Sequence, residues 1–113
     1  MLSSANRLRS SKDFSRTTKV GFRATSHSLV LYVHSAENLP TGPQVGLIIN
    51  KSVGGSVARH RIARQLRHAI KDQLIAFPKQ TQIVIRVLRE KPEYTAELSE
   101  LVTKISSKIA VNA

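Results

Sequence analysis

The spacing of apolar residues changes character several times along the chain, and each change marks an element. Residues 11–18 carry a possible serine cap (Ser10 or Ser11) and an early acid, Asp13, which predicts a short helix. In GFRATSHSLVLYVHS, residues 21–35, Phe22 and Ala24 alternate with polar neighbours and Leu29 to Val33 is almost wholly apolar, so two strands are expected, the second buried. ENLPTGP brings Pro40, Gly42 and Pro43 together as a loop signal. QVGLIIN (44–50) and TQIVIRVL (81–88) are short β-branched runs suited to inner strands.

Between those runs the period lengthens to that of a helix. After Gly54 and Gly55, with Ser56 as the expected cap, a helix is predicted to about Phe77, where Pro78 stops it. Ile62, Leu66, Ala69, Ile70 and Phe77 form its core-facing stripe. A last helix within PEYTAELSELVTKISSKI (92–109) presents Tyr94, Leu98, Leu101, Val102, Ile105 and Ile109 at steps of three and four. No internal repeat or low-complexity segment appears. The order helix, strand, strand, strand, helix, strand, helix predicts one α+β domain over residues 1–113, a two-layer sandwich of about four mixed strands with helices on one face. Strand 44–50, the long helix and strand 81–88 would form a βαβ unit with parallel strands.

Charge sharpens this picture. Lysine and arginine number 18 against 7 acids. Residues 1–71 hold 12 of the bases and only 2 of the acids, so the excess is regional and points to a polyanionic partner. On the long helix His60, Arg61, Arg64, Arg67, His68 and Lys71 recur along about 16 Å, opposite the core stripe. Arg59, His60 and Arg61 put positive charge at the helix end whose dipole is already positive. No acid lies between Gly54 and Lys71, so pairing within the helix cannot account for the arginines. An anion at the free N–H groups after Gly54 and Gly55, held by Lys51 and Arg59, would. A membrane surface is the weaker alternative because the apolar stripe is needed for the core.

The remaining chemistry narrows the function further. With no cysteine there is no disulfide and no thiolate zinc site, and a reducing compartment is compatible. No apolar run approaches a membrane span, which predicts a soluble domain. Residues 1–23 have the Arg- and Ser-rich composition of a transit peptide, but they run directly into strand-like sequence and are expected to belong to the fold. The four histidines lack metal-ligand spacing, the acids do not cluster as a two-metal nuclease requires, and no nucleophile motif is present, so neither catalytic nor metal-binding residues are expected. Phe14, Phe22 and Tyr32 lie near Arg16, Lys19 and Arg23 and suit either a core or a basic groove that stacks single-stranded bases.

KSVGGSVARHRIARQLRHAI (51–70) resembles the signature of the bacterial ribonuclease P protein family, roughly K-x-x-G-x-A-V-x-R-N-R-x-K-R-x-x-R-E. RLRSSKDF, LVLY and VGLIINK are similar to the family's opening, second strand and entry to the signature. The resemblance implies a left-handed βαβ crossover, against the usual right-handed rule. It implies a cytoplasmic protein that binds a catalytic RNA, one to one and without obligate self-association or a membrane, and that helps remove the 5′ leader of precursor tRNA. The RNA and its Mg²⁺ ions would perform the hydrolysis. Carried over by position, Arg59, Arg61, Arg64 and Arg67 with Lys51 would meet the RNA subunit, joined by His60, His68 and Lys71 of the same face. Phe14 and Tyr32, with Arg16, Lys19, Phe22 and Arg23, would line the leader cleft. His60 stands for the usual Asn, Ala63 for a Lys, His68 for an acid, and Thr18 for a second cleft aromatic, which predicts weaker leader stacking. Two rivals make different predictions: a structural ribosomal RNA-binding protein of similar fold, and a DNA regulator using residues 56–77 as a recognition helix.

Overall fold

In the computed structural model, residues 7–8, 11–35, 43–74, 77 and 81–112 are described, residues 35 and 108–112 by backbone alone. The elements are α1 (Ser11–Val20), β1 (Phe22–Thr25), β2 (Leu29–Ser35), β3 (Gln44–Ile49), α2 (Ser56–Gln73), β4 (Thr81–Val87) and α3 (Thr95–Asn112). The strands form one mixed sheet in the order β1-β2-β4-β3. β1 pairs antiparallel with β2, and β2 with β4, while β3 runs parallel to β4 as the expected βαβ unit requires. The loop signal at Pro40 and Gly42, the candidate cap Ser10 and the side chain of Ile109 lie outside the described residues.

Alternation along the strands sends two sets of side chains to opposite faces. Leu29, Leu31 and Val33 of β2, Ile83, Ile85 and Val87 of β4 and Val45 of β3 meet Ile62, Leu66 and Ile70 of α2 and Leu98, Leu101, Val102 and Ile105 of α3 in the main core. Each fully buried leucine or isoleucine there contributes about 1.5–3 kcal/mol. Phe77 joins this core, as its place in the stripe predicts, but α2 ends at Gln73 and Phe77 donates its N–H to the Leu74 carbonyl in a turn. The residue before a proline disfavours the helical region, so the chain leaves the helix before Pro78 rather than at it.

The expectation that all helices share one face needs correction. α2 and α3 do, but α1 lies on the other, where Leu8, Val30, Tyr32 and Val84 form a second small cluster with Phe14 and Ile48 against it. The physical reason is that Val30, Tyr32 and Val84 make the middle of the second face apolar, so it also needs cover. Two glycines permit the close approach. A side chain at Gly46 would occupy the space of the Phe14 ring, and a Cβ at Gly21 would stand 2.5 Å from the Thr17 carbonyl oxygen and 2.6 Å from that of Val33. Gly21 thereby ends α1 and turns the chain into β1. Leu8 donates its N–H to the Val45 carbonyl at 2.8 Å, so the segment before α1 adds to the edge of β3. Residues 7–8 and 11–20 of the Arg- and Ser-rich segment thus contribute to the fold itself.

Candidate nucleic-acid interface

A single 3-10 turn, Lys51–Val53, leads from β3 through Gly54 and Gly55 into α2. The cap position belongs to Gly55 rather than Ser56, and no side chain bonds the free N–H groups of the first turn. That turn contains no acid. An unshielded positive helix end next to exposed Lys51 is therefore a place where an anion is favoured.

The basic stripe of α2 borders two different surroundings. Arg59 and Arg67 are half-buried and His60 is exposed; with Ser56 and Ala63 they line an open hollow of about 310 Å³ floored by Leu47 and Ile49 of the edge strand β3. The other flank, with Arg64, Gln65, His68 and Asp72, faces Pro92, Glu93 and Thr95 at the entry to α3. Arg61 belongs with that second flank, where its guanidinium donates to Glu90 at 3.0 Å, the two side chains being 44% and 48% exposed. Lys71 is exposed. No acid precedes Asp72 in α2, but the tertiary fold supplies one to Arg61.

The expected leader cleft is also redistributed. Register places Arg23 opposite Tyr32, Tyr32 opposite Val84, and Val84 opposite Gly46, so these side chains share the α1 face with the Phe14 ring. Tyr32 is only 8% exposed and serves mainly as a wall. Phe22 pairs with Val33 and so projects to the opposite face, at 38% exposure; alternation along β1 excludes it from the cleft. Arg16 and Lys19 stand exposed on α1. Thr18 donates its hydroxyl to the carbonyls of Phe14 and Ser15, both at 3.1 Å, and offers no ring.

Two residues missed by sequence reasoning complete the surface. Arg7 and Arg67 flank Phe14 in a hollow along the β3 edge, so Arg67 borders both the α2 hollow and the Phe14 face. Arg86 rises from β4 between Val30 and Ile48 on that same face. The Nε atoms of Arg7, Arg59 and Arg86 are buried with no partner among the described residues. A lone arginine in an apolar strand was the available signal for Arg86.

The connection from β4 to α3 is held on the acidic side. Tyr94 donates its hydroxyl to the Arg89 carbonyl and accepts from the Lys91 N–H, both at 2.8 Å, and Arg89 donates to the His27 carbonyl. Burial raises the Tyr94 phenol above its ordinary range. Glu97 accepts from the Ser26 hydroxyl at 2.6 Å, the Ser28 N–H at 3.0 Å and the Lys91 ammonium at 3.0 Å. Burial opposes its ionisation, but these donors outweigh that and hold its carboxyl below the usual glutamate value. Among the described residues, no group of three histidines and acids could hold a metal ion, and no helix is long and apolar enough to cross a membrane.

Residues 2–109 match the family model described as Ribonuclease P. The chain is 42% identical over 109 residues to the ribonuclease P protein component of Corynebacterium diphtheriae, covering 89% of this chain and 87% of that protein. It is 43% identical over 90 residues to that of Mycobacterium leprae, covering 78% and 75%. In fold it is similar to the RNase P protein of Staphylococcus aureus, with a TM-score of 0.68 at 21% identity over 93% of this chain and 94% of that one. The RNase P protein of Thermotoga maritima gives 0.62 at 18% identity over 92% and 91%. The signature in α2, the mixed sheet and the relatives agree along nearly the whole length: the chain belongs to the ribonuclease P protein family.

Proposed function

We propose that this protein binds the catalytic RNA of ribonuclease P through the β3 flank of α2 and holds the 5′ leader of precursor tRNA on the α1 face. The observation that carries this reading is the continuity of the two surfaces. Arg67 borders both, and the β3 edge between them presents Arg7, Arg59 and Arg67 over an apolar floor. Structured RNA is held by phosphate contacts from such arginines, and single strands by stacking, for which Phe14 is the accessible ring.

No protein side chain is assigned as nucleophile or base. Hydrolysis is assigned to the RNA subunit. Mg²⁺ is assigned to RNA phosphates in this reading, and the protein assists by screening the charge of the leader and its surroundings. One protein per RNA, in the cytoplasm and without obligate self-association, completes the proposal.

The test is leader removal from precursor tRNA at low Mg²⁺ by ribonuclease P RNA with and without the protein. Stimulation by the protein, with no cleavage by protein alone, is expected. Stable RNA binding without stimulation would favour the ribosomal alternative, and tight sequence-specific duplex DNA binding the regulator.

A further inference from the structure

We infer that Arg86 is a leader-binding residue that holds a phosphodiester of the single strand beside the nucleotide stacked on Phe14. This rests on the proposed reading of the α1 face and adds to it an anchor outside the family signature. Arg86 sits in β4, an inner strand whose every other residue is buried. Its cross-strand neighbours on both sides, Val30 and Ile48, are apolar. An arginine in that setting is desolvated along its stem and would be replaced by an apolar side chain with no loss of stability, or with a gain.

Nothing described in the protein answers its charge. Its Nε is buried with no partner among the described residues. The strand residues of this face are Arg23 and Thr25, Val30, Tyr32 and His34, Gln82 and Val84, and Gln44, Gly46 and Ile48, without an acid among them. A planar fork with unmet donors, on a face of basic and aromatic character, suits the oxygens of a phosphodiester. Position supports the same ligand. Val84 precedes Arg86 by two residues and pairs with Gly46, which lies under the Phe14 ring. The two residues on one face are about 7 Å apart along the strand, the scale of a neighbouring nucleotide.

The experiment uses holoenzyme reconstituted with Arg86→Met, Arg86→Lys or Phe14→Ala. It measures the affinity for precursor tRNA with a short leader and for the same tRNA without one, together with the affinity of each protein for the RNA subunit and its thermal midpoint. R86M should bind the leader-bearing substrate about tenfold more weakly and the leaderless tRNA and RNA subunit as before. Its salt slope should fall by about 0.7, its midpoint should hold or rise, and R86K should recover part of the loss. If F14A loses the preference for a leader while R86M keeps it, Arg86 is not an anchor although the face is. If both keep it, the reading of the face fails and the inference with it. A lowered midpoint with equal loss on both tRNAs would make Arg86 structural, and weakened RNA-subunit binding would move its phosphate to that RNA; either overturns the assignment.

Discussion

Replacing Glu90 by glutamine should tighten RNA binding, because it removes the acid paired with the signature arginine Arg61. Arg61 and Glu90 pair at 3.0 Å with nearly half of each side chain in solvent. Exposed pairs of this kind are worth about 0.2–1 kcal/mol, so the cost of diverting Arg61 from Glu90 to a phosphate is of that size. Removing it should raise affinity for ribonuclease P RNA by about 1.4- to 5-fold. The gain should be largest at low ionic strength and shrink as the screening length falls below about 10 Å near 0.1 M salt. A titration of RNA with wild type, Glu90→Gln, Arg61→Ala and the double variant across salt concentration measures this directly. In the Arg61→Ala background the Glu90→Gln gain should largely vanish, since its target is gone. An equal gain in both backgrounds would mean that Glu90 acts only through net charge. No gain in either would mean that Arg61 remains with Glu90 in the complex and that the family's second signature arginine is structural here.

Three further outcomes are expected. Glu97→Ala leaves the Ser28 N–H unmet and removes an acceptor from the Ser26 hydroxyl and the Lys91 ammonium, and should cost about 2–3 kcal/mol, on the order of 10 °C in thermal midpoint. Because the folded state holds this carboxyl below its ordinary value, its contribution is complete above the unfolded pKa of about 4.3 and is lost as pH falls through the folded one. Melts of wild type and variant should therefore converge in acid, and a pH-independent gap would contradict that linkage. Tyr94→Phe keeps the ring but leaves the Arg89 carbonyl and Lys91 N–H unmet; a loss of about 1–2 kcal/mol and faster amide exchange at Lys91 are expected. Gly46→Val places a side chain where the Phe14 ring lies and should reduce discrimination for leader-bearing substrate while sparing RNA-subunit affinity, measured by parallel titrations.

Much of the fold was legible because its elements obey short-range rules. The stripe Ile62, Leu66 and Ile70, the β-branched runs of β3 and β4 and the βαβ order all follow from periodicity, and the structure realises them. What escaped depends on which face a strand turns to its neighbours. The position of α1 followed from the apolar patch of Val30, Tyr32 and Val84 on the second face, visible only once the register of β2 and β4 is set. Phe22 was placed in the cleft by proximity in sequence to Arg23, yet adjacent strand residues point apart. The basic stripe of α2 is about a third of a turn wide, but its two edges meet different tertiary neighbours, which decided their environments.

Those neighbours are divided by sign, and the division favours the side of approach proposed above for RNA. Among the described residues, Asp72, Glu90, Glu93, Glu97 and Glu100 all lie at the end of α2, in the connection to α3 or on α3, whereas Asp13 is the only acid on α1. A backbone approaching Arg64 and His68 from the α3 flank would meet Glu93 and Asp72 within the same hollow. One approaching from the β3 edge meets Arg59, His60 and Arg67 with no acid in that hollow. At the few ångströms that separate groups within one hollow, each opposing charge changes the interaction by roughly 1–4 kcal/mol before screening. An arginine at the same distance gains as much from a phosphate, so one acid in a hollow offsets one arginine, and on the proposed reading the β3 edge is the favoured seat for RNA.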